Sequence, residues 1–136
     1  MVNFISPDKK FHYDNTKLYL NSGNRTSLDF WQWGYSDLVQ NVIRGILAEY
    51  IVAWVLNLDR TPRNPWEPFD LKTEDGERIE VKSTGYLQSW DYGTKPNPRF
   101  VIQERQRWTD SGLETRADFN ADIYILCYHK EKNRKA

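Results

Sequence analysis

Cysteine is almost missing from this 136-residue chain: Cys127 stands alone, which excludes an intramolecular disulfide and favours a reducing compartment. Histidine is nearly as scarce, and His12 and His129 match no zinc-ligand spacing. Net charge is zero, so bulk composition does not advertise a polyanionic partner. No apolar run reaches the length of a membrane span, residues 1–10 are polar and unlike a secretory signal, and repeats and low-complexity linkers are lacking. A cytoplasmic protein without membrane contact is the expectation.

Aromatics, by contrast, are plentiful. Six Trp, eight Tyr and six Phe argue against disorder, and the length suits one domain with a sizeable core. The expected organisation is a single domain over 1–136, with an irregular segment at 1–25 and a charged tail at 129–136. Charge is unevenly spread: residues 49–94 carry five basic and nine acidic side chains, and residues 95–136 carry nine and six. The acidic middle suits a cation and the basic end suits a polyanion, although a mixed solvated surface accounts for the same pattern.

The strongest periodicity runs through Val39, Val42, Ile43, Ile46, Leu47, Tyr50, Ile51, Trp54, Val55 and Leu58, at three- and four-residue spacings. It predicts a long amphipathic helix capped by Ser36 or Asp37 and ended by Pro62, Pro65 and Pro68. Glu49 lies at the border of the apolar stripe, flanked one turn away by Gly45 and Ala53. Gly45 costs about 1 kcal/mol relative to Ala within a helix, so a packing or binding reason is expected for it. Before that helix, Thr26 or Ser27 caps a short helix whose Phe30, Trp31 and Trp33 are expected in the core.

Residues 69–84 read as a hairpin about Asp75-Gly76. A two-residue loop sets Asp70 opposite Val81 and mixes apolar with charged side chains on both faces. A three-residue loop, Glu74-Asp75-Gly76, with Gly76 left-handed in a bulge, sets Leu71 opposite Ile79 and Asp70 opposite Glu80. The second register separates an apolar face from a polar one, as a half-buried sheet requires, and is the one chosen. Beyond the hairpin, 99–103 reads as a strand, 104–120 as a helical turn near Trp108 followed by loop, and 121–128 as an apolar strand buried on both faces.

In that register Asp70 and Glu80 face each other, and Lys82 shares the face of Glu80. Two opposed carboxylates repel unless a cation joins them. Mg²⁺ (or Mn²⁺) prefers one or two carboxylates plus waters and phosphate oxygens, and the Val81 backbone carbonyl offers a further ligand. Such a site lowers the pKa of a bound water, with Lys82 orienting that water or neutralising developing charge. A lone Glu-x-Lys is a weak signal, and the ordinary reading is a solvated hairpin with cross-strand ion pairs.

Taken in order, Arg44-Gly-Ile-Leu-Ala-Glu49, Phe69-Asp70 and Ile79-Glu-Val-Lys-Ser83 resemble the motifs of the PD-(D/E)xK nuclease superfamily. The stretches Phe30-Trp-Gln-Trp-Gly-Tyr-Ser-Asp-Leu38 and Tyr86-Leu-Gln-Ser-Trp90 further resemble a group of uncharacterised bacterial proteins with this signature. The resemblance spans about residues 28–128. It implies an α/β, restriction-endonuclease-like core of order α-β-β-β-(α)-β with a central mixed sheet flanked by helices. It also implies Mg²⁺-dependent cleavage of DNA, with Asp70 and Glu80 on the metal and Lys82 catalytic. Glu49 would be an accessory acid reaching the metal directly or through water, and Gln88 matches a Gln that some branches use after the Lys. The helix between the third and fourth strands has no convincing candidate in 104–120. The chain also stops directly after the last expected strand, so either a fragment or a minimal version of the fold is implied.

Lys95, Arg99, Arg105 and Arg107 follow the hairpin and are the expected phosphate contacts. A metal-dependent DNA endonuclease, for which a homodimer is an open option, is thus the leading expectation. The alternatives are a non-catalytic nucleic-acid-binding module and a protein-interaction module of the same fold.

Overall fold

The computed structural model describes residues 17–20, 23–90, 97–106, 108–109, 112–113 and 117–133. Lys95 and Arg107 lie outside the described residues. The chain divides into two compact units, residues 1–36 and 37–136.

In the first unit, β1 (Lys17–Leu20) and β2 (Gly23–Thr26) pair antiparallel, Lys17 with Thr26 and Leu20 with Gly23, within a segment expected to be irregular. α1 (Ser27–Tyr35) follows directly. Thr26 caps it: its Oγ1 accepts the Asp29 N–H at 3.2 Å, and Asp29 Oδ2 accepts the Thr26 N–H at 2.6 Å. This is a capping box with Asp in the place usual for Glu. No residue of α1 is buried, which corrects the expected core role of Phe30, Trp31 and Trp33. Phe30, Trp31 and Tyr35 instead pack on one another, with ring centroids 4.8–5.6 Å apart, and Trp33 is 86% exposed. A helix this short can gather its rings on itself, so aromatic content alone does not place them inside.

The second unit is a small α/β arrangement with α2 (Asn41–Val55) against a mixed three-stranded sheet. Gln40, not Ser36 or Asp37, is the N-cap, and it makes no side-chain cap bond. The helix stops well before the prolines. Asn57 takes a left-handed φ of 57°, its N–H donates to Trp54 O at 3.1 Å, and the Leu58 N–H donates to Ala53 O at 2.7 Å. These two bonds make a Schellman ending, in which Asn tolerates the conformation that usually calls for Gly. Leu58 then packs on the core cluster.

β3 (Leu71–Lys72), β4 (Arg78–Gly85) and β7 (Ile123–His129) form the sheet, in the order β3-β4-β7. β3 pairs antiparallel with β4, Leu71 with Ile79 and Lys72 with Arg78. Gly76 is left-handed at φ 94°, Gly76 N–H donates to Thr73 O and Thr73 N–H to Glu77 O. The three-residue loop is therefore present with the expected Leu71–Ile79 pairing, but the ladder stops there and the expected Asp70–Glu80 pair is not part of it. β7 runs parallel to β4, from Ile79 with Ile123 to Gly85 with His129. An Arg78–Asp122 fork, with bonds of 2.9 and 2.6 Å, fastens the start of that pairing. At its other end the strands approach so closely that a Cβ on Gly85 would sit 2.8 Å from His129 Cβ.

Ala48 and Val52 of α2 pack on Ile79 and Val81 of β4, with Leu71, Ile125 and Cys127 around them. The small side of the helix thus meets the sheet. Val42, Tyr50, Ile51, Trp54 and Val55, members of the expected core stripe, are exposed. The helix is apolar around most of its circumference, so periodicity overstated how much of it is covered.

Three further expectations are corrected between β4 and β7. Residues 99–103 form no strand, and Trp108 lies in β5 (Trp108–Thr109), paired with β6 (Gly112–Leu113), not in a helical turn. An Arg105–Asp118 backbone bridge flanks them in the chain, and no helix occurs among the described residues of 97–120. β7 is not buried on both faces: Ile123, Leu126 and Tyr128 are exposed. With one described neighbour in the sheet, its apolar run is half covered. No helix among the described residues is long and apolar enough to cross a membrane.

Candidate metal and phosphate site

One residue beyond the last paired residues of the hairpin, the regular ladder ends at Asp70. Its N–H donates to Ile79 O at 3.0 Å, and its carboxylate Oδ2 accepts the Val81 N–H at 2.7 Å. The side chain therefore replaces a backbone acceptor, with one oxygen spent on β4 between Glu80 and Lys82. Lys82 Nζ donates to Glu80 Oε1, an ion pair between residues two apart on one strand face. Sequence reading placed these three side chains together, but not the hydrogen bond that turns Asp70 onto the strand.

Glu49 comes from α2. Its carboxylate is forked by Arg63, Nε to Oε2 at 2.7 Å and Nη2 to Oε1 at 3.2 Å. The Glu49 side chain is 12% exposed and that of Arg63 38%. Burial pushes the Glu49 carboxyl above its ordinary value, the charges of Asp70 and Glu80 add to this, and Arg63 opposes it. Burial likewise raises the Asp70 carboxyl, and Glu80 raises it further, against the Val81 N–H and the charges of Lys82 and Arg63. Three acids therefore feel one another, with two cations set against them. The balance is one negative charge in excess.

The reason expected for Gly45 is not found, since a Cβ there would meet nothing within 4 Å. Gln88 Nε2 donates to Gly85 O at 3.3 Å, which places it at the end of β4. Arg99 is exposed. Arg105 is exposed too, and it lines a small depression with Glu80, Lys82, Gln103, Asn120 and Tyr124. Tyr124 stands beside Glu80 in the β4–β7 register.

No family model matches the chain, and no curated protein or solved structure matches it.

Sequence reading missed two arginines. Arg63 lies 14 residues from its partner, in a proline-rich connection without periodicity, and nothing local signals the pairing. Arg44 is 7% exposed and ties the start of α2 to the loop after β4, donating to Leu87 O at 2.8 Å and Asn41 Oδ1 at 2.6 Å. Burial lowers its pKa. The only signal for it was an Arg on the apolar side of a helical stripe.

The donor set bears on which ion would fit. Among the described residues, no three His, Cys, Asp or Glu side chains are gathered to hold a metal by themselves. A hard cation that keeps most of its waters needs only one or two carboxylates. Asp70 retains Oδ1 and Glu80 retains Oε2 outside the bonds described, and the excess negative charge favours a cation. The residues present fit Mg²⁺ or Mn²⁺ bound in that sparse manner.

Proposed function

We propose that the chain is a metal-dependent deoxyribonuclease with a restriction-endonuclease-like fold, acting on DNA phosphodiesters in the cytoplasm. The observation that supports this reading is the Asp70 carboxylate bonded to the Val81 N–H, between Glu80 and Lys82 on β4. Asp70, Glu80 and the Val81 carbonyl would hold Mg²⁺ or Mn²⁺, with Glu49 joining directly or through water. The ion supplies a water of lowered pKa and charge stabilisation at the phosphate.

The protein groups have separable tasks. The Val81 N–H fixes the Asp70 carboxylate, removing the rotational freedom that would blur a ligand position. Lys82 carries a positive charge to the phosphate side of the site, where it stabilises charge developing on phosphate oxygens. Arg105, across the depression, contacts a neighbouring phosphate and holds the strand in place, with Arg99, Lys95 and Arg107 adding non-specific affinity. Gln88 positions the end of β4.

A non-catalytic module of the same fold is the competing reading. Its supporting observation is that each acid already has a protein partner: Arg63 for Glu49, the Val81 N–H for Asp70 and Lys82 for Glu80. Plasmid and oligonucleotide substrates incubated with Mg²⁺, Mn²⁺ or EDTA, alongside Glu80→Ala and Lys82→Ala, separate the two. The nuclease reading expects metal-dependent cleavage reduced about a hundredfold or more in either variant. Binding without cleavage, unchanged in both variants, would refute it in favour of the module.

A further inference from the structure

We infer that Arg63 is a built-in counter-cation that a metal ion must displace from Glu49, so that this one arginine sets the cation affinity of the site. The inference rests on the metal-dependent reading above. Both Glu49 oxygens are taken by one guanidinium, through two bonds in the fork geometry that Arg shares with carboxylates. A cation approaching the same two oxygens meets a positive charge already seated there. Glu49 is well covered while Arg63 is more than a third exposed, so the arginine is the partner free to leave towards solvent.

The chain on either side of Arg63 supports this. It belongs to the connection between α2 and β3, where Pro62, Pro65 and Pro68 preclude regular structure and residues 59–68 are all exposed. Nothing in residues 59–68 belongs to the core cluster. Arg63 is therefore not held by the packing of its own neighbours, and its fork to Glu49 is what draws it to the site. Its charge also reaches Asp70, so its departure changes the field at a second acid as well. Arg63 is a positioning residue: with it in place Glu49 is turned to the protein's own cation, and with it displaced Glu49 faces an incoming one.

The test is calorimetric titration of Mn²⁺ into the full chain without nucleic acid, for wild type, Arg63→Gln, Arg63→Lys and Asp70→Asn, paired with thermal unfolding in EDTA and in excess Mn²⁺. Arg63→Gln should bind Mn²⁺ about fivefold more tightly, the low end of ordinary site coupling because Arg63 is partly solvated. It should also be less stable than wild type in EDTA, with the deficit closing in Mn²⁺. Arg63→Lys keeps the charge and loses the fork, so it should fall between the two. A lysine variant that binds like wild type overturns displacement and leaves only a general field effect. Unchanged or weaker binding in Arg63→Gln overturns the inference while leaving the metal site intact, provided Asp70→Asn loses affinity. Absence of Mn²⁺ binding in every protein refutes both this inference and the metal-dependent reading.

Discussion

Replacing Asp70 by Asn should make the metal-free protein more stable, the reverse of what removing a hydrogen-bonded buried side chain usually does. Asn keeps an oxygen for the Val81 N–H, so the strand contact survives as a neutral bond in place of a charge-assisted one. What it removes is a desolvated negative charge facing Glu49 and Glu80. The Asp70 carboxyl is held above its ordinary value even with the Val81 N–H and two cations favouring ionisation, so the charge is less well accommodated here than in water. A gain of about 0.5–1 kcal/mol follows, the usual return when a site residue is relieved of its functional burden. In a unit of this size that is about 2–5 °C in Tm.

The sign of the pH dependence follows from the same shift. A carboxyl raised in the folded state penalises folding while ionised, so the Asn advantage is full at neutral pH. It shrinks as pH falls through the raised value and is gone below the ordinary value of 3.8. Mg²⁺ should invert the ranking. At a hundred times its dissociation constant it adds about 2.7 kcal/mol to wild type, and much less to a variant lacking one ligand. Thermal unfolding of both proteins in EDTA and in excess Mg²⁺, across acid to neutral pH, measures each part. Asp70→Asn less stable than wild type in EDTA at neutral pH would refute the reasoning, because the hydrogen bond would then outweigh the repulsion. Equal Mg²⁺ shifts in the two proteins would remove Asp70 from the metal.

Two glycines give opposite expectations. Gly45→Ala should stabilise by about 0.5–1 kcal/mol in urea unfolding, since the new methyl meets nothing within 4 Å and the helix gains propensity; a loss would reveal a contact there. Gly85→Ala should destabilise by about 1–3 kcal/mol, because its Cβ would press on the Cβ and backbone of His129; a change under about 0.5 kcal/mol would mean that the two strands separate easily at that end.

The hairpin was legible because two local rules agree there. Alternation of Phe69, Leu71, Ile79 and Val81 sets the faces, Asp75-Gly76 sets the turn, and only one loop length satisfies both. α2 was legible as a helix for the same reason of dense local signal, but its covered side was not. A helix apolar nearly all round does not say which side meets the sheet, and here the small residues Ala48 and Val52 do so. Residues 97–120 misled because their described part holds one isolated bridge and two two-residue strands, too short to leave a period in the sequence. Of the site, Asp70, Glu80 and Lys82 could be placed together from register alone. Arg63 could not, because a loop side chain reaching a helix 14 residues away follows no repeat.

The parallel pairing of β4 with β7 also imposes an order of events. Asp70, Glu80 and Lys82 lie on a hairpin that closes over a few residues, on the microsecond scale of such turns. The strand beside it begins 44 positions further along, Ile79 against Ile123. At ordinary rates of synthesis the ribosome needs seconds to supply those residues. During that interval the acids sit on a two-stranded hairpin, marginal in water by itself and dependent for cover on α2, which is made before it. The edge of β4 that takes β7 waits with its N–H and C=O groups unpaired until that strand arrives, and the Arg78–Asp122 fork is where the late strand first meets the early one.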